Sequence, residues 1–302
     1  MRRTFVAAAV LAALAAGPAF AASPFPTAAK ATSPKFEEDA ALKAAVAGDW
    51  RSAAHKARDA QRRPYESLTF WGLRPGMTVV EIGPGGEAWW TEILAPYAAA
   101  TGGTYVAAMG DRANPSLTPE QKAQVEKSHV DFAARFSDAR FGKVATADFS
   151  MANGLKVEPG SADMILVARA FHNWAAREGL VERYMAEWFK ALKPGGVLAV
   201  EQHRAPEGYD PVKTNTGYVP ESWVIAKAKG AGFALDAKSE LNANAKDDRD
   251  HPFGVWTLAP VRQSTPRPGN PIDRATPLTP EERAQYDAIG ESDRMTLRFR
   301  KP

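Results

Sequence analysis

Cysteine is absent from the 302 residues, which excludes disulfides, thiolate zinc sites and cysteine nucleophiles together. Neither sign of charge dominates. The 38 Lys and Arg stand against 35 Asp and Glu, a net charge of +3, so no nucleic-acid or acidic-membrane partner is implied. No apolar run reaches the roughly 20 residues a membrane span needs. The run from Phe5 to Ala16 follows Arg2 and Arg3 and ends in Ala19-Phe20-Ala21, the pattern of a signal peptide. The leader Arg2-Arg3-Thr4-Phe5-Val6 also matches the centre of a twin-arginine signal, although two positive charges suit an ordinary signal peptide equally. Residues 1–21 are therefore expected to be removed, giving an exported protein, periplasmic or secreted, without integral membrane association. Internal repeats are also missing.

What is present is alternation. Residues 22–35 are rich in Ala, Pro, Ser and Thr without an apolar period and read as a flexible arm. From 36 to 72 the pattern is helical, with Leu42, Val46, Trp50 and Ala54 at helix spacing and Pro64 opening a further helix. After Pro75-Gly76, β-rich runs alternate with helical ones. Strands are expected at Thr78 to Ile82, Thr104 to Met109, Lys143 to Ala147, Ala162 to Val167 and Val197 to Gln202, with helices at Trp89 to Ala98, from Thr118-Pro119, at Arg177 to Leu192 and at Glu221 to Ala231. Strand-like runs follow at Phe233 to Leu241 and Val255 to Leu258. Pro260 to Pro280 is too proline-rich for a ladder, and Met295 to Arg300 alternates as a strand with one buried face. We expect a Rossmann-like α/β domain, a doubly wound and mostly parallel sheet. Its parts are a helical cap (36–72), the core (73–241), an irregular insertion (242–293) and a final strand (294–302).

The run Val79-Val80-Glu81-Ile82-Gly83-Pro84-Gly85-Gly86-Glu87 passes from strand through a glycine loop towards a helix. Glycines there free φ and let a ligand approach the backbone, while a helix start offers free N–H groups. Gly83, Gly85 and Ala88 also fit the dinucleotide spacing, so the loop alone leaves a nicotinamide cofactor open. Pro84 removes one N–H from that loop and Glu81 places a negative charge beside it. Both favour a cationic nucleoside over a pyrophosphate.

With Ala147-Asp148-Phe149, Ala162-Asp163-Met164-Ile165-Leu166 and Leu192-Lys193-Pro194-Gly195-Gly196 added to the loop, the chain resembles the class I S-adenosylmethionine-dependent methyltransferases. More narrowly, it resembles a family of exported bacterial predicted methyltransferases. The resemblance implies an antiparallel C-terminal strand and an S-adenosylmethionine (SAM) site. In that site Glu81, Gly83 and Gly85 line the methionine part, Gly86 is a further cofactor-binding residue of the loop, Asp148 lies near the adenine and Asp111 is the candidate for the ribose hydroxyls. Glu87 stands where the family's loop has its third glycine, in what would be a first helical turn.

Ligands of open parallel sheets bind beyond the carboxyl ends of the strands. Two such ends carry histidine, in Arg169-Ala170-Phe171-His172-Asn173-Trp174 and in Glu201-Gln202-His203-Arg204. His172 is the first candidate for a general base and His203 the second. Glu201 and His203 share a strand face but form no metal-ligand motif, so no metal is expected. Arg58, Asp59, Arg62 and Arg63 read either as a cover for the site or as a solvated helix face. These features give a methyltransferase acting on a small-molecule acceptor. A catalytically silent SAM- or ligand-binding module and an NAD-dependent oxidoreductase are the alternatives.

Overall fold

The structure, a computed structural model, describes residues 38–302 apart from residue 214. The expected signal peptide at 1–21 and the expected arm at 22–35 lie outside the described residues. Four short helices come first: α1 (Ala40–Ala47), α2 (Ala53–Ala57), α3 (Asp59–Arg62) and α4 (Pro64–Trp71). The helix spacing that runs through Trp50 and Ala54 is not one helix. Gly48 ends α1, and Trp50 sits in a turn where its indole N–H donates to the Glu92 carbonyl at 2.7 Å. Pro64 does open α4, after Arg63 in the left-handed region.

Alternating elements follow: β1 (Thr78–Ile82), α5 (Thr91–Thr101), β2 (Thr104–Gly110), α6 (Pro119–Arg135), β3 (Ala145–Ser150), β4 (Gly154–Leu155) and β5 (Ala162–Ala168). Then come α7 (His172–Ala175), α8 (Leu180–Ala191), β6 (Leu192–Ala205), β7 (Val219–Pro220), α9 (Glu221–Gly230) and β8 (Ala234–Ser239). The chain finishes with β9 (Pro252–Val255), α10 (Pro280–Ile289) and β10 (Arg294–Arg300). The sheet order is β4-β3-β2-β1-β5-β6-β10-β8, with β7 beside β6. Strands β3, β2, β1, β5 and β6 run parallel, and β10 is antiparallel to both β6 and β8. The expected doubly wound, mostly parallel sheet with an antiparallel C-terminal strand is thus present.

Period-2 geometry divides the apolar residues between two faces. Val80, Ile82, Ile165, Val167, Leu198 and Val200 pack with α8 and α9, while Val79, Ala107, Met164, Leu166 and Ala199 pack with α1, α4 and α5. Glu81 therefore shares the α5 side. Three differences from the sequence reading bear on the site. First, β6 begins at Leu192, so the Lys193-Pro194-Gly195-Gly196 turn bulges between the Ala162–Leu192 and Met164–Val197 pairs. Second, β10 is covered on both faces where one was expected, because α4 lies over it and Trp71 donates its indole N–H to the Leu297 carbonyl at 3.1 Å. Arg294 and Thr296 are consequently buried. Third, the 242–293 stretch holds β9, just before the strand-like run read at Val255 to Leu258, and α10. Thr279 and Glu282 form a reciprocal capping box at the start of α10. No helix of the described residues is long and apolar enough to cross a membrane.

Candidate functional site

β1 ends at Ile82, and Gly83 and Gly85 turn the chain at φ +63° and +68°, the left-handed region that glycine enters without a Cβ penalty. A Cβ added at Gly83, Gly85 or Gly86 would meet nothing within 4 Å. The loop opens onto a cavity of about 470 Å³ walled by Gly83 to Gly86, by Met109 and Gly110 at the end of β2, and by Ser128, Asp131, Phe132 and Arg135 of α6. The Gly83 N–H holds the loop to β2 through the Ala108 carbonyl at 2.9 Å. Arg135 clamps it from the other side, donating to the Gly86 carbonyl (3.0 Å), the Glu87 carbonyl (2.7 Å) and Glu92 Oε1 (2.8 Å).

The helix after the loop begins at Thr91, two residues later than expected, because Ala88 adopts φ +48° and forms one more turn. Its first-turn amides are spent within the chain: Glu92 N–H donates to the Ala88 carbonyl, and Ile93 and Leu94 donate to Trp90. The amides that face the cavity are those of the loop. Gly85 and Gly86 donate to no acceptor among the described residues. Glu87 is not in a first helical turn. It accepts from Arg58 Nη1 at 2.7 Å.

Of the cofactor candidates, Gly83, Gly85 and Gly86 line the cavity and the three carboxylates do not. Glu81 is buried on the α5 side of β1, where it accepts from Tyr105 OH (2.6 Å) and Thr91 Oγ1 (3.0 Å). Burial pushes its carboxyl up to about 7 against the pull of those two hydroxyls and of Arg169. Asp111 is buried too, and its oxygens accept from Ser150 Oγ (2.6 Å), Asn153 Nδ2 (2.7 Å) and the Ala113 N–H (2.8 Å). Burial alone would raise it, but these bonds hold it below the usual carboxylate range. Asp148 accepts a bidentate pair from Arg112 at 3.0 and 2.9 Å, which lowers it.

The neighbouring strands β5 and β6 bring the histidines together. The His172 and His203 ring centroids lie 5.4 Å apart and both side chains are buried. His172 is the first residue of α7 rather than a loop residue, and Gln202 Nε2 stands 3.3 Å from its Nδ1. With the amide as donor, Nδ1 accepts and the ring proton sits on Nε2. Burial, then Arg169, pushes His172 down to about 4. His203 falls well below its ordinary value through burial, His172 and Arg169, and its Nδ1 is bonded to Ser292 Oγ. Both rings are neutral at pH 7, so either can accept a proton, though weakly. The 242–293 stretch covers them: Trp256 packs edge-on against His172 at 5.8 Å and Ser292 meets His203. Trp89, Trp90, Phe171 and Tyr218 are core residues.

Sequence reading left Arg62 open as a cover or a solvated face and missed its partners Arg169, Glu291 and Arg294. Arg62 is completely inaccessible, which excludes a solvated face for it, and its guanidinium lies over the Trp89 ring at 4.7 Å. Its partner Glu291 is 229 positions away. Only the i, i+4 spacing of Arg58 and Arg62 marks a common face in the sequence. Arg169, directly after β5, has φ +53° and donates its N–H to the Glu201 carbonyl at 2.7 Å. Glu201 itself is met by Arg294 at 2.6 Å, a cationic neighbour unsuited to a metal ligand.

No protein-family model matches the chain, and no curated protein matches it. Among solved structures it is similar to a SAM-dependent methyltransferase from Aquifex aeolicus, at 19% identity over 61% of this chain and 86% of that one, with a TM-score of 0.42. A methyltransferase of the same description from Methanosarcina mazei gives 12% over 78% and 96%, TM-score 0.45. The 4+2 cyclase SpnF gives 15% over 86% and 92%, TM-score 0.48.

Proposed function

We propose that the chain is a SAM-dependent methyltransferase that acts on a small-molecule acceptor. The observation carrying this reading is the glycine loop, open to a cavity of about 470 Å³ at the carboxyl ends of β1 and β2. That size falls within the roughly 300–1,000 Å³ of small-molecule sites. The fit is favourable on two counts: the space that side chains would fill at Gly83 and Gly85 is empty, and the Gly85 and Gly86 amides lack acceptors. Gly83, Gly85 and Gly86 would hold the cofactor, with Met109 and Gly110 forming the wall opposite. When bound, it supplies a methyl group on a sulfonium. What the chain adds is orientation of the acceptor, exclusion of water and a proton acceptor at His172 Nδ1 once Gln202 turns away.

Calorimetry with SAM, its demethylated product and NAD, followed by label transfer into candidate acceptors, tests the proposal. Micromolar binding of the first two is expected, and binding of NAD alone would sink it. The burial of both histidines favours a second reading, a silent binding module. It is supported if SAM binds but no label moves and His172→Ala changes nothing. Export belongs to the same proposal: the mature protein recovered from its native host is expected to begin at Ala22, by N-terminal sequencing.

A further inference from the structure

The carboxylate of Glu291 lies among three guanidinium groups. Arg58 Nε donates to it at 2.9 Å, Arg62 Nε at 2.9 Å to both oxygens, and Arg294 Nη1 at 2.7 Å. A fourth group, Arg169, lies within electrostatic range of Glu291, Glu201, Arg294 and Arg58. None of its guanidinium nitrogens has a hydrogen-bond or ion-pair partner among the described residues. Its Nε is buried, as are Arg62 Nη1 and Nη2 and Arg58 Nη2, all without an acceptor.

The charges of this cluster do not balance. Four guanidiniums face two buried carboxylates, Glu201 and Glu291, while Glu87 reaches Arg58 from an exposed side chain. Glu81, held near 7, is the remaining acid in range of Arg169. Buried donors without acceptors, and buried charge without counter-charge, are costly unless a ligand completes them. Arg62 registers the deficit, pushed down to about 9 by burial and then by Arg169. The same Arg169 helps depress His172 and His203, so the unmatched charge sits beside the two rings.

We propose that Arg169 and Arg58, backed by the inaccessible Arg62, bind an oxyanion, a carboxylate or phosphate, carried by the small molecule that is methylated. The planar guanidinium fork matches either group. The site is separate from the glycine-loop cavity, whose wall includes Arg135 but none of these three residues. An anion here brings the rest of its molecule against His172, His203 and Trp256. The oxyanion site stands on its own geometry; its assignment to the acceptor rests on the methyltransferase reading.

The full-length chain is titrated with sodium phosphate and with sodium benzoate, at ionic strength held constant with chloride, by calorimetry and thermal shift. Saturable binding of at least one is expected, weakened about tenfold or more in Arg169→Gln and in Arg58→Gln. A preference for benzoate assigns a carboxylate and a preference for phosphate a phosphate. SAM affinity and melting temperature are measured on both variants, so that lost anion binding with SAM binding retained supports the site and excludes misfolding. No saturable binding, or unchanged affinity in both variants, overturns the proposal. Competition between SAM and the anion overturns the assignment to the acceptor, giving the arginines to the cofactor's own carboxylate. Anion binding that persists in a protein unable to bind SAM keeps the oxyanion site and sinks the methyltransferase reading.

Discussion

The two halves of the sheet's carboxyl edge are built differently. At the β1–β2 end the site is backbone: a glycine loop from one short segment, open to its cavity and steadied from outside by Arg135. At the β5–β6 end it is side chain: Arg58, Arg62, Arg169, Glu201, His203, Glu291 and Arg294 converge from four places in the chain, with Trp256 and Ser292 across them. The first half offers shape and free amides, the second offers charge. A substitution should therefore damage one half without the other.

Glu291→Gln carries the largest expected effect. It removes the counter-charge shared by three arginines in a buried site, and breaking such a pair costs about 3–5 kcal/mol. Burial would raise Glu291, but Arg294, Arg62 and Arg169 hold it well below the usual carboxylate range. Its folded value lies below its unfolded one, so its stabilisation is complete above about 4.5 and is lost as pH falls below that value. Denaturant unfolding near neutral pH should show the loss, and the gap between wild type and variant should narrow as pH falls below about 4.5 without closing by about pH 3. A loss under about 1 kcal/mol at neutral pH would mean the cluster is solvated.

Gly85→Val attacks the other half. Valine is strained at φ +68° by about 1–2 kcal/mol, and its side chain enters the cavity. SAM affinity should fall about 100-fold, roughly 3 kcal/mol, by calorimetry, while benzoate or phosphate affinity stays constant. A parallel loss of anion binding would join the two halves.

This contrast also explains what the sequence could disclose. The β1 limits, the Thr118 cap and the mostly parallel sheet follow from local pattern and from the alternation of strands with helices, and all are in the structure. The loop glycines were legible because a left-handed turn after a strand leaves a local signature. The arginine cluster was legible only in part, since Arg58 and Arg62 read as a cover or as a solvated face and nothing local joins them to Glu291. Asp111 shows the limit of carry-over by position. Its oxygens are already taken by Ser150, Asn153 and Ala113, contacts that depend on the turn into β4.

Glu81 sits under the loop and within range of Arg169, so it tests whether the halves communicate. Its folded value, about 7, lies above the 4.5 of an ordinary glutamate. The stabilisation this gives is complete below the unfolded value and is lost as pH rises through about 7. Between about pH 5.5 and about 8, wild type should lose about 2 kcal/mol relative to Glu81→Gln. Parallel stability profiles for the two proteins would show that the carboxylate is ionised throughout. If Glu81→Gln also shifts anion affinity, the loop and the arginines are electrostatically one site.

The smallest expected effect lies in the cover. Thr279 accepts from the Glu282 N–H at 3.2 Å, and Glu282 returns a bond to the Thr279 N–H at 2.7 Å, fixing the start of an otherwise unburied α10. Losing such a cap costs about 1 kcal/mol. Arg274 grips the same Glu282 through both carboxylate oxygens, so the helix start is tied to the loop that leads back to Trp256. Thr279→Ala should therefore raise amide exchange across α10 and the preceding loop and leave exchange in β1 and α5 unchanged. Because Trp256 packs on His172, its fluorescence should become more accessible to a neutral quencher while SAM affinity holds constant. Exchange that rises equally in α5 would mean that the cover and the glycine loop unfold as one unit, and that the two halves are separate in composition only.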